Sequence, residues 1–170
     1  QQDLTIRREI GDRRGEGNAL GNLGLAYADI GETRRAIDLY EKQLDIVRKI
    51  GDRRGEGDAQ GNLGNAYYDL GDTRRAIDLY EKQLDIVRKI GDRRGEGNAL
   101  GNMGIVYYDL GEPHRAIELY EQQLVIVQEI GDRRGEGNAL GNIGLAYADL
   151  NETSRAIGLY KQALVIHREI

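Results

Sequence analysis

The sequence has no cysteine, only one proline, and no apolar run near the roughly 20 residues that a membrane helix needs. The missing cysteines exclude disulfide bonds and thiolate metal sites, a composition typical of the reducing cytoplasm, where we expect the protein to reside. No signal-peptide pattern opens the chain. Acidic and basic residues alternate, and the net charge is only -5. We therefore expect neither a membrane nor a nucleic acid as a partner.

The sequence does contain a long internal repeat. Residues 11–50 and 51–90 are identical at 34 of 40 positions, and two more copies follow at 91–130 and 131–170. Residues 1–10 match the last quarter of the unit and predict a partial repeat with a second helix only. A period of this length indicates a repeat array. We predict a single solenoid over residues 1–170, cut from a longer array.

Each repeat contains two segments with helical spacing of apolar residues and no sustained period of two. The segments are separated by a residue that is glycine in three copies and Asn151 in the fourth, which is typical of a left-handed position after a helix. Pro113 stands two residues later, where a second helix tolerates proline at its first position. Asp52 and its equivalents follow the next glycine and are predicted to cap the first helices. Each repeat is thus an antiparallel helix pair.

The string "GDRRGEGNALGN" at 11–22 raises the possibility of a phosphate-binding loop. Its glycines, Gly15, Gly17 and Gly21, have the wrong spacing for a dinucleotide fingerprint, no strand precedes them, and no lysine follows them as a P-loop requires. We expect Gly21 and Gly24 to lie on a helix and allow close approach of a neighbour. Whether Gly15 and Gly17 delay the start of that helix stays open.

Residues suited to catalysis are scarce. Ser154 is the one serine, and the two histidines, His114 and His167, lie in different repeats without counterparts in the other copies. Neither a catalytic triad nor a histidine-based metal cluster can be assembled from them. The carboxylates recur at equivalent positions among arginines and lysines, which predicts a solvated face. We expect no enzyme activity, no cofactor and no metal.

The segment "NLGNAYYDLGDTRRAIDLYEKQL" at 62–84 resembles the tetratricopeptide repeat. Leu63, Gly64 and Tyr67 match the signature of its first helix, and Ala76 and Tyr80 match that of its second. The unit is longer than the usual repeat of about 34 residues, and in this it is similar to the arrays of LGN/Pins-type scaffolds and of bacterial NB-ARC or STAND proteins. The resemblance implies an all-α, right-handed superhelical solenoid of antiparallel helix pairs that binds another protein.

By this resemblance the first helices line a concave groove, and equivalent positions on them are candidates for binding a partner. The candidate residues are Asn22, Asn62, Asn65, Tyr68, Asn102, Tyr108, Asn142, Arg54 and Arg94. A row of asparagines suits the backbone amides of a bound peptide, because the side chain both donates and accepts hydrogen bonds. The alternative is that the asparagines bridge adjacent helices. The arginines favour an acidic partner or pair with neighbouring glutamates.

The tyrosines separate into two groups. Eight of the ten occur two per repeat at positions where the fold needs core residues. Tyr68 and Tyr108 remain, both on the inferred concave face, and tyrosine is enriched at binding hot spots. Tetratricopeptide repeats that bind the acidic C-terminus of chaperones use lysines on their first helices. Every lysine here lies on a second helix, so this mode of recognition is disfavoured.

Three functions are compatible with the sequence. The first is a protein–protein interaction module that takes a peptide or partner segment in the groove. The second is a sensor segment of a larger signalling NTPase, and the third is a structural spacer or designed scaffold with no ligand of its own. Neither end carries an obvious polar cap, so we also expect end-to-end self-association through the terminal helices.

Overall fold

The computed structural model describes residues 12–170, which contain eight α-helices and no strand. The helices are α1 (Arg13–Asp29), α2 (Thr33–Lys49), α3 (Arg53–Asp69), α4 (Thr73–Ile90), α5 (Arg93–Asp109), α6 (Pro113–Glu129), α7 (Arg133–Asp149) and α8 (Thr153–Glu169). The all-α class and the two helices per repeat are therefore confirmed. The partial repeat predicted at 1–10 lies outside the described residues.

Each first helix begins directly after a capping aspartate. The Asp52 carboxylate accepts a hydrogen bond from the Gly55 N–H at 3.0 Å, and the same bond recurs at Asp12, Asp92 and Asp132. A side-chain acceptor here satisfies a backbone donor that has no partner within the helix. The helix consequently starts at Arg53 and includes the following glycines, so they do not delay its start.

The turns within each helix pair depend on a left-handed residue. Gly31, Gly71 and Gly111 have φ values of 77°, 79° and 75°, and Asn151 takes the same role at 60°. Asn151 is the one non-glycine residue with positive φ within residues 12–170. Glycine and asparagine tolerate this conformation at the end of a helix, as the substitution pattern predicted. Pro113 is the first residue of α6, also as predicted.

The described residues form two compact units, at residues 12–91 and 92–170. In the first unit α1 packs against α2, α2 against α3, and α3 against α4. In the second unit α5 packs against α6, α6 against α7, and α7 against α8. Inside each unit, a second helix therefore contacts the first helix of the next repeat, which is the arrangement of a solenoid. The single domain over 1–170 stays a prediction.

Glycines on the first helices accommodate large side chains from the second helix of the same pair. A Cβ added at Gly64 would lie 2.5 Å from Tyr80 Cε1, and one at Gly61 would lie 2.6 Å from Gln83 Nε2. Tyr80 is only 1% exposed. The glycine-rich first helix thus permits the two helix axes to approach closely, which confirms the architectural role predicted for these residues.

The contact between repeats in the first unit is an apolar cluster. Leu63 of α3, 2% exposed, belongs to the same buried cluster as Ile37, Tyr40 and Leu44 of α2. Ala59 and Ala66 of α3 complete it on either side of Leu63. A single helix pair leaves this α2 face uncovered, so the stability of each repeat depends on its neighbour.

The corresponding face of α8 is open to solvent. Ile157 and Leu164 are each 48% exposed, and Tyr160 is 40% exposed, whereas the equivalent Tyr40 is only 2% exposed. The prediction that all eight repeat tyrosines are core residues is therefore wrong for Tyr160. Its physical reason is that α3 covers Tyr40, and no described helix covers the same side of α8. End-to-end self-association through this face stays a prediction.

Candidate functional site

Within each unit the stretch GDRRGEG, at residues 51–57 and 131–137, forms the joint between consecutive repeats. Glu56 of α3 is only 7% exposed. One of its carboxylate oxygens accepts from Arg48 Nε of α2 at 2.9 Å, and the other accepts from Arg53 Nη1 at 2.5 Å. The prediction of a solvated carboxylate face is thus wrong at Glu56 and at two other buried carboxylates, Glu16 and Glu96. These carboxylates lie at the packed start of the first helices, where arginines compensate for the lost hydration.

Arginines also connect the two ends of a repeat in the second unit. Arg93 at the start of α5 donates to Glu96 at 2.5 Å and forms a very short ion pair with Glu129 at the end of α6. The hydrogen bond to Glu129 raises the pKa of Arg93 above its ordinary value. Arg133 is paired in the same manner with Glu136 and, at 2.6 Å, with Glu169. These charged groups are engaged with one another in a structural role.

The glycines of the same stretch also pack closely against neighbouring side chains. A Cβ on Gly55 would lie 2.9 Å from Val47 Cγ1, and one on Gly57 would lie 3.3 Å from Val87 Cγ1. The Gly55 N–H already donates to the Asp52 cap. The backbone donor that a phosphate loop would need is therefore committed to the fold.

The predicted binding positions lie on the solvent-accessible side of the first helices. Asn22, Arg54, Asn65 and Arg94 are exposed, and Asn62, Tyr68, Asn102, Tyr108 and Asn142 are half-buried. One repeat position between them carries large exposed apolar residues: Leu25 at 45%, Ile105 at 38% and Leu145 at 43%. We call the surface formed by Asn102, Ile105, Tyr108, Asn142 and Leu145 the second-unit face.

Tyr108 spans two first helices on the second-unit face. Its hydroxyl on α5 donates to Asp149 Oδ2 on α7 at 2.5 Å. This bond shows that α5 and α7 are neighbours along the face. Asp149, the burial of the ring and the surrounding negative charge together raise the pKa of Tyr108 from 10 to about 12, the hydrogen bond being the largest cause. Tyr108 therefore supplies a fixed, partly exposed ring instead of an unattached side chain.

The raised pKa of Tyr108 predicts an alkaline loss of stability. A group with a raised pKa in the folded state stabilises the fold fully below about pH 10 and loses that contribution as pH rises toward 12. In a spectrophotometric titration, the difference between wild type and Tyr108→Phe should contain one tyrosine that ionises near pH 12. Asp149→Asn should lower that midpoint toward 10. A midpoint near 10 in the wild type would show that the hydrogen bond does not form.

Asn65, and an arginine at the repeat position of Arg54 and Arg94, also have structural partners. Asn65 Oδ1 accepts a hydrogen bond from the hydroxyl of Tyr80 at 2.7 Å, so this asparagine bridges the two helices of its own repeat. Burial raises the pKa of Tyr80, mainly because the charged phenolate would lose its hydration there. Arg14, the equivalent of Arg54 and Arg94, lies 3.0 Å from Asp52 of the next repeat. Asn65 thus bridges two helices, as the alternative interpretation of the asparagines stated. The exposed arginine position forms an ion pair with the next repeat at Arg14.

A set of arginine–tyrosine contacts was not predicted from the sequence. Arg35, Arg75, Arg115 and Arg155 each place a guanidinium over the tyrosine ring of the first helix in the same pair, at 3.9–5.7 Å. An arginine over an aromatic face is attracted to the electron-rich ring. The signal that could have identified these contacts is the constant spacing of eight residues between tyrosine and arginine across the turn.

The residues considered for catalysis are exposed and separate. His114 is the second residue of α6, Ser154 is the second residue of α8, and His167 lies near the end of α8. Among residues 12–170, no three His, Cys, Asp or Glu side chains are arranged to hold a metal ion. None of the described helices combines the length and apolar character required to cross a bilayer.

The fold and this surface define a class: an α-helical repeat protein built from stacked helix pairs that presents side chains on its first helices. The tetratricopeptide repeat family matches three overlapping segments, residues 16–89, 55–124 and 95–169. The chain therefore belongs to the tetratricopeptide repeat family. Repeats of this family generally mediate protein–protein interaction. No protein of curated function matches the chain in sequence.

Several solved structures are similar to the chain in fold. BtubC from P. vanneervenii is 19% identical with a TM-score of 0.83, over 98% of this chain and 77% of BtubC. A signal-transduction ATPase with a tetratricopeptide repeat sensor from Pyrococcus horikoshii is 24% identical with a TM-score of 0.80, over 91% of this chain and 25% of the ATPase. Aspartyl phosphate phosphatase F from Bacillus subtilis is 13% identical with a TM-score of 0.89, over 92% of this chain and 41% of the phosphatase.

Proposed function

We propose that the chain is a protein-binding module whose second-unit face receives an extended or helical segment of a partner protein. The observation that carries this proposal is the exposure of Ile105 and Leu145 at equivalent positions of two neighbouring first helices. Exposed apolar side chains at matched positions form a patch that loses water when a partner covers it. The fixed ring of Tyr108 beside Ile105 adds area with little loss of conformational entropy.

Polar groups around this patch can orient a bound segment. Asn102 and Asn142 are half-buried and flank the apolar side chains, three residues before each of them. Side-chain amides can pair with the peptide groups of a bound segment, whatever its sequence. An apolar centre with a polar surround is the usual arrangement of a protein interface. Equivalent positions in the first unit present Leu25 and Asn65, so a partner there meets a more polar surface.

A selection of displayed random peptides against the immobilised protein tests this proposal. We expect binders whose affinity falls about tenfold or more in the double variant Ile105→Ser and Leu145→Ser, because each loses buried apolar contact with the ligand. Val125→Ser is the matched control, since Val125 is 54% exposed on the second helix α6, away from the face. All variants are first compared for helicity and unfolding temperature.

Two outcomes would contradict the proposal. Binders that tolerate the double variant as well as they tolerate Val125→Ser would place recognition elsewhere on the chain. Failure to select any binder competed by soluble protein would favour the spacer function. A positive result would leave the sensor function as a special case, because a segment that senses another molecule must also bind it.

A further inference from the structure

We propose that the cavity at Gln60 is a second binding site, which takes an arginine side chain of a partner protein. Gln60 stands where the other three repeats have Leu20, Leu100 and Leu140. It is 1% exposed, and its Oε1 has no hydrogen-bond partner. A buried unsatisfied amide oxygen destabilises the fold relative to the leucine that fits the same position. A ligand that donates a hydrogen bond to this oxygen would offset that cost and account for the departure from the repeat pattern.

The amide lines an open cavity of about 460 Å³ between helices α2, α3 and α4. The repeat before it has a matching cavity of about 440 Å³, in which Leu20 takes the position of Gln60. Apart from that exchange, the residues that the two cavities share in position are of the same type. The chain thus contains its own control: two similar cavities, of which one has an acceptor in its wall.

Other buried glutamine oxygens without a partner do not share this setting. Gln43, Gln83 and Gln123 recur at one repeat position and lie over Gly21, Gly61 and Gly101 inside the helix pairs. They belong to the common framework of the repeats. Gln60 differs because it departs from the repeat pattern and lines a cavity.

The charges around the cavity favour a cationic donor. Arg48 and Arg53 also line it, and both donate to the single carboxylate of Glu56, which offsets one of their two positive charges. On α4, Asp78 and Glu81 lie one helical turn apart at the cavity and present carboxylates to solvent. Lys82 and Asp85 complete this α4 side with opposite charges. The acceptors therefore comprise one neutral amide in the wall and two carboxylates at the edge.

An arginine side chain matches this set of acceptors. The guanidinium group carries five N–H donors in a plane, so it can donate to Gln60 Oε1 and to a carboxylate at the same time. Lysine offers its donors from a single nitrogen and retains its water more strongly. The site is separate from the predicted groove, because residues 60 and 62 are about 200° apart around α3. Its ligand is accordingly independent of the one proposed for the second-unit face.

Nuclear magnetic resonance of the whole chain can test the site with N-acetyl-arginine amide as the probe. We expect saturable shifts of the Gln60 side-chain amide and of the α4 backbone from Asp78 to Asp85. N-acetyl-citrulline amide, which is neutral and nearly the same shape, should bind at least about fivefold more weakly. Gln60→Leu should weaken the arginine probe by a similar factor while keeping or raising the unfolding temperature. Leu20→Gln should create a second set of shifts in the matching cavity.

Each possible result decides the question. Equal binding of the citrulline probe, unchanged binding in Gln60→Leu, or no saturable shift up to the solubility limit of the probe would overturn the proposal. Binding that survives Gln60→Leu but is lost in Asp78→Asn with Glu81→Gln would show a solvated acidic edge only, and would also overturn it. None of these results depends on Ile105 or Leu145, so the proposed function is tested separately.

Discussion

Replacing Leu63 by Ala is expected to lower the free energy of unfolding by about 2–5 kcal/mol. Leu63 is 2% exposed and packs in one cluster with Ile37, Tyr40 and Leu44 of the preceding repeat. The substitution removes buried methyl groups at the place where one repeat stabilises the next. Because a solenoid lacks contacts between distant repeats, its other interfaces compensate little for this loss.

Leu25→Ala is the matched control for Leu63→Ala. Leu25 is 45% exposed on α1, and its truncation should change the free energy of unfolding by no more than about 0.5 kcal/mol. Urea unfolding followed by circular dichroism compares the two variants. Hydrogen exchange should also show faster opening of α2 and α3 than of α7 and α8 in Leu63→Ala, since loss of one interface acts locally. Equal destabilisation by both substitutions would contradict the assigned interface.

The turns could be predicted from the sequence because each depends on one residue type. Gly71 and Asn151 share a left-handed backbone that few other residues adopt, and their exchange between copies reveals the position. Asp52 caps α3 by a contact only three residues away. Local chemistry of this kind is visible in sequence, since both partners lie within one turn of the chain.

The buried charges could not be predicted in the same way. Glu56 appeared to be one of many alternating charged residues, which usually face solvent. Its burial depends on Arg48, eight residues earlier on another helix, and on the close packing around Gly55. Periodicity within one helix contains no information about a neighbouring repeat that covers its start. This joint explains the stretch GDRRGEG at residues 51–57 and, with Gln128 in place of Arg48, at residues 131–137.

The candidate surface was only partly visible in sequence. The exposed or half-buried state of its positions agrees with their placement on the free side of the first helices. The hydrogen bonds of Asn65 and Tyr108 were not visible, because their partners, Tyr80 and Asp149, are 15 and 41 residues away. The position of Ile105 and Leu145 is apolar in three of the four copies, but its exposure is apparent only in the folded chain.

Variation among the repeats separates framework from surface. The stretch GDRRGEG is identical in all four copies, and Asn151 and Gly158 are the two departures from the shared glycine positions. The second repeat differs from the first at six positions, which include Gln60, Asn65 and Tyr68. These three residues all lie on α3. Gln60 lines a cavity, Asn65 bridges two helices, and Tyr68 lies on the accessible side. A framework that tolerates such differences can present a different surface in each repeat. This property suits a module that reads an irregular partner.

Gly64→Ala should destabilise the protein, although alanine is the better helix former by about 1 kcal/mol. The added Cβ would lie 2.5 Å from Tyr80 Cε1 and 2.7 Å from Cδ1, distances that atoms do not adopt without movement. Tyr80 is 1% exposed and is held by its hydrogen bond to Asn65, so the ring has no space into which it could turn. Overpacking of this kind costs about 1–3 kcal/mol, more than the gain in helix propensity.

Gly144→Ala provides the opposite expectation at the equivalent position. Its Cβ would lie 2.8 Å from Tyr160 Cε1, but Tyr160 is 40% exposed and can move toward solvent. The gain in helix propensity then dominates, and the variant should be neutral or more stable by up to about 1 kcal/mol. Thermal and urea unfolding of both variants measure the difference. A similar change of stability in both variants would mean that the glycine matters for the helix itself. A larger loss of stability in Gly64→Ala would mean that the buried tyrosine requires a residue without a side chain at this position.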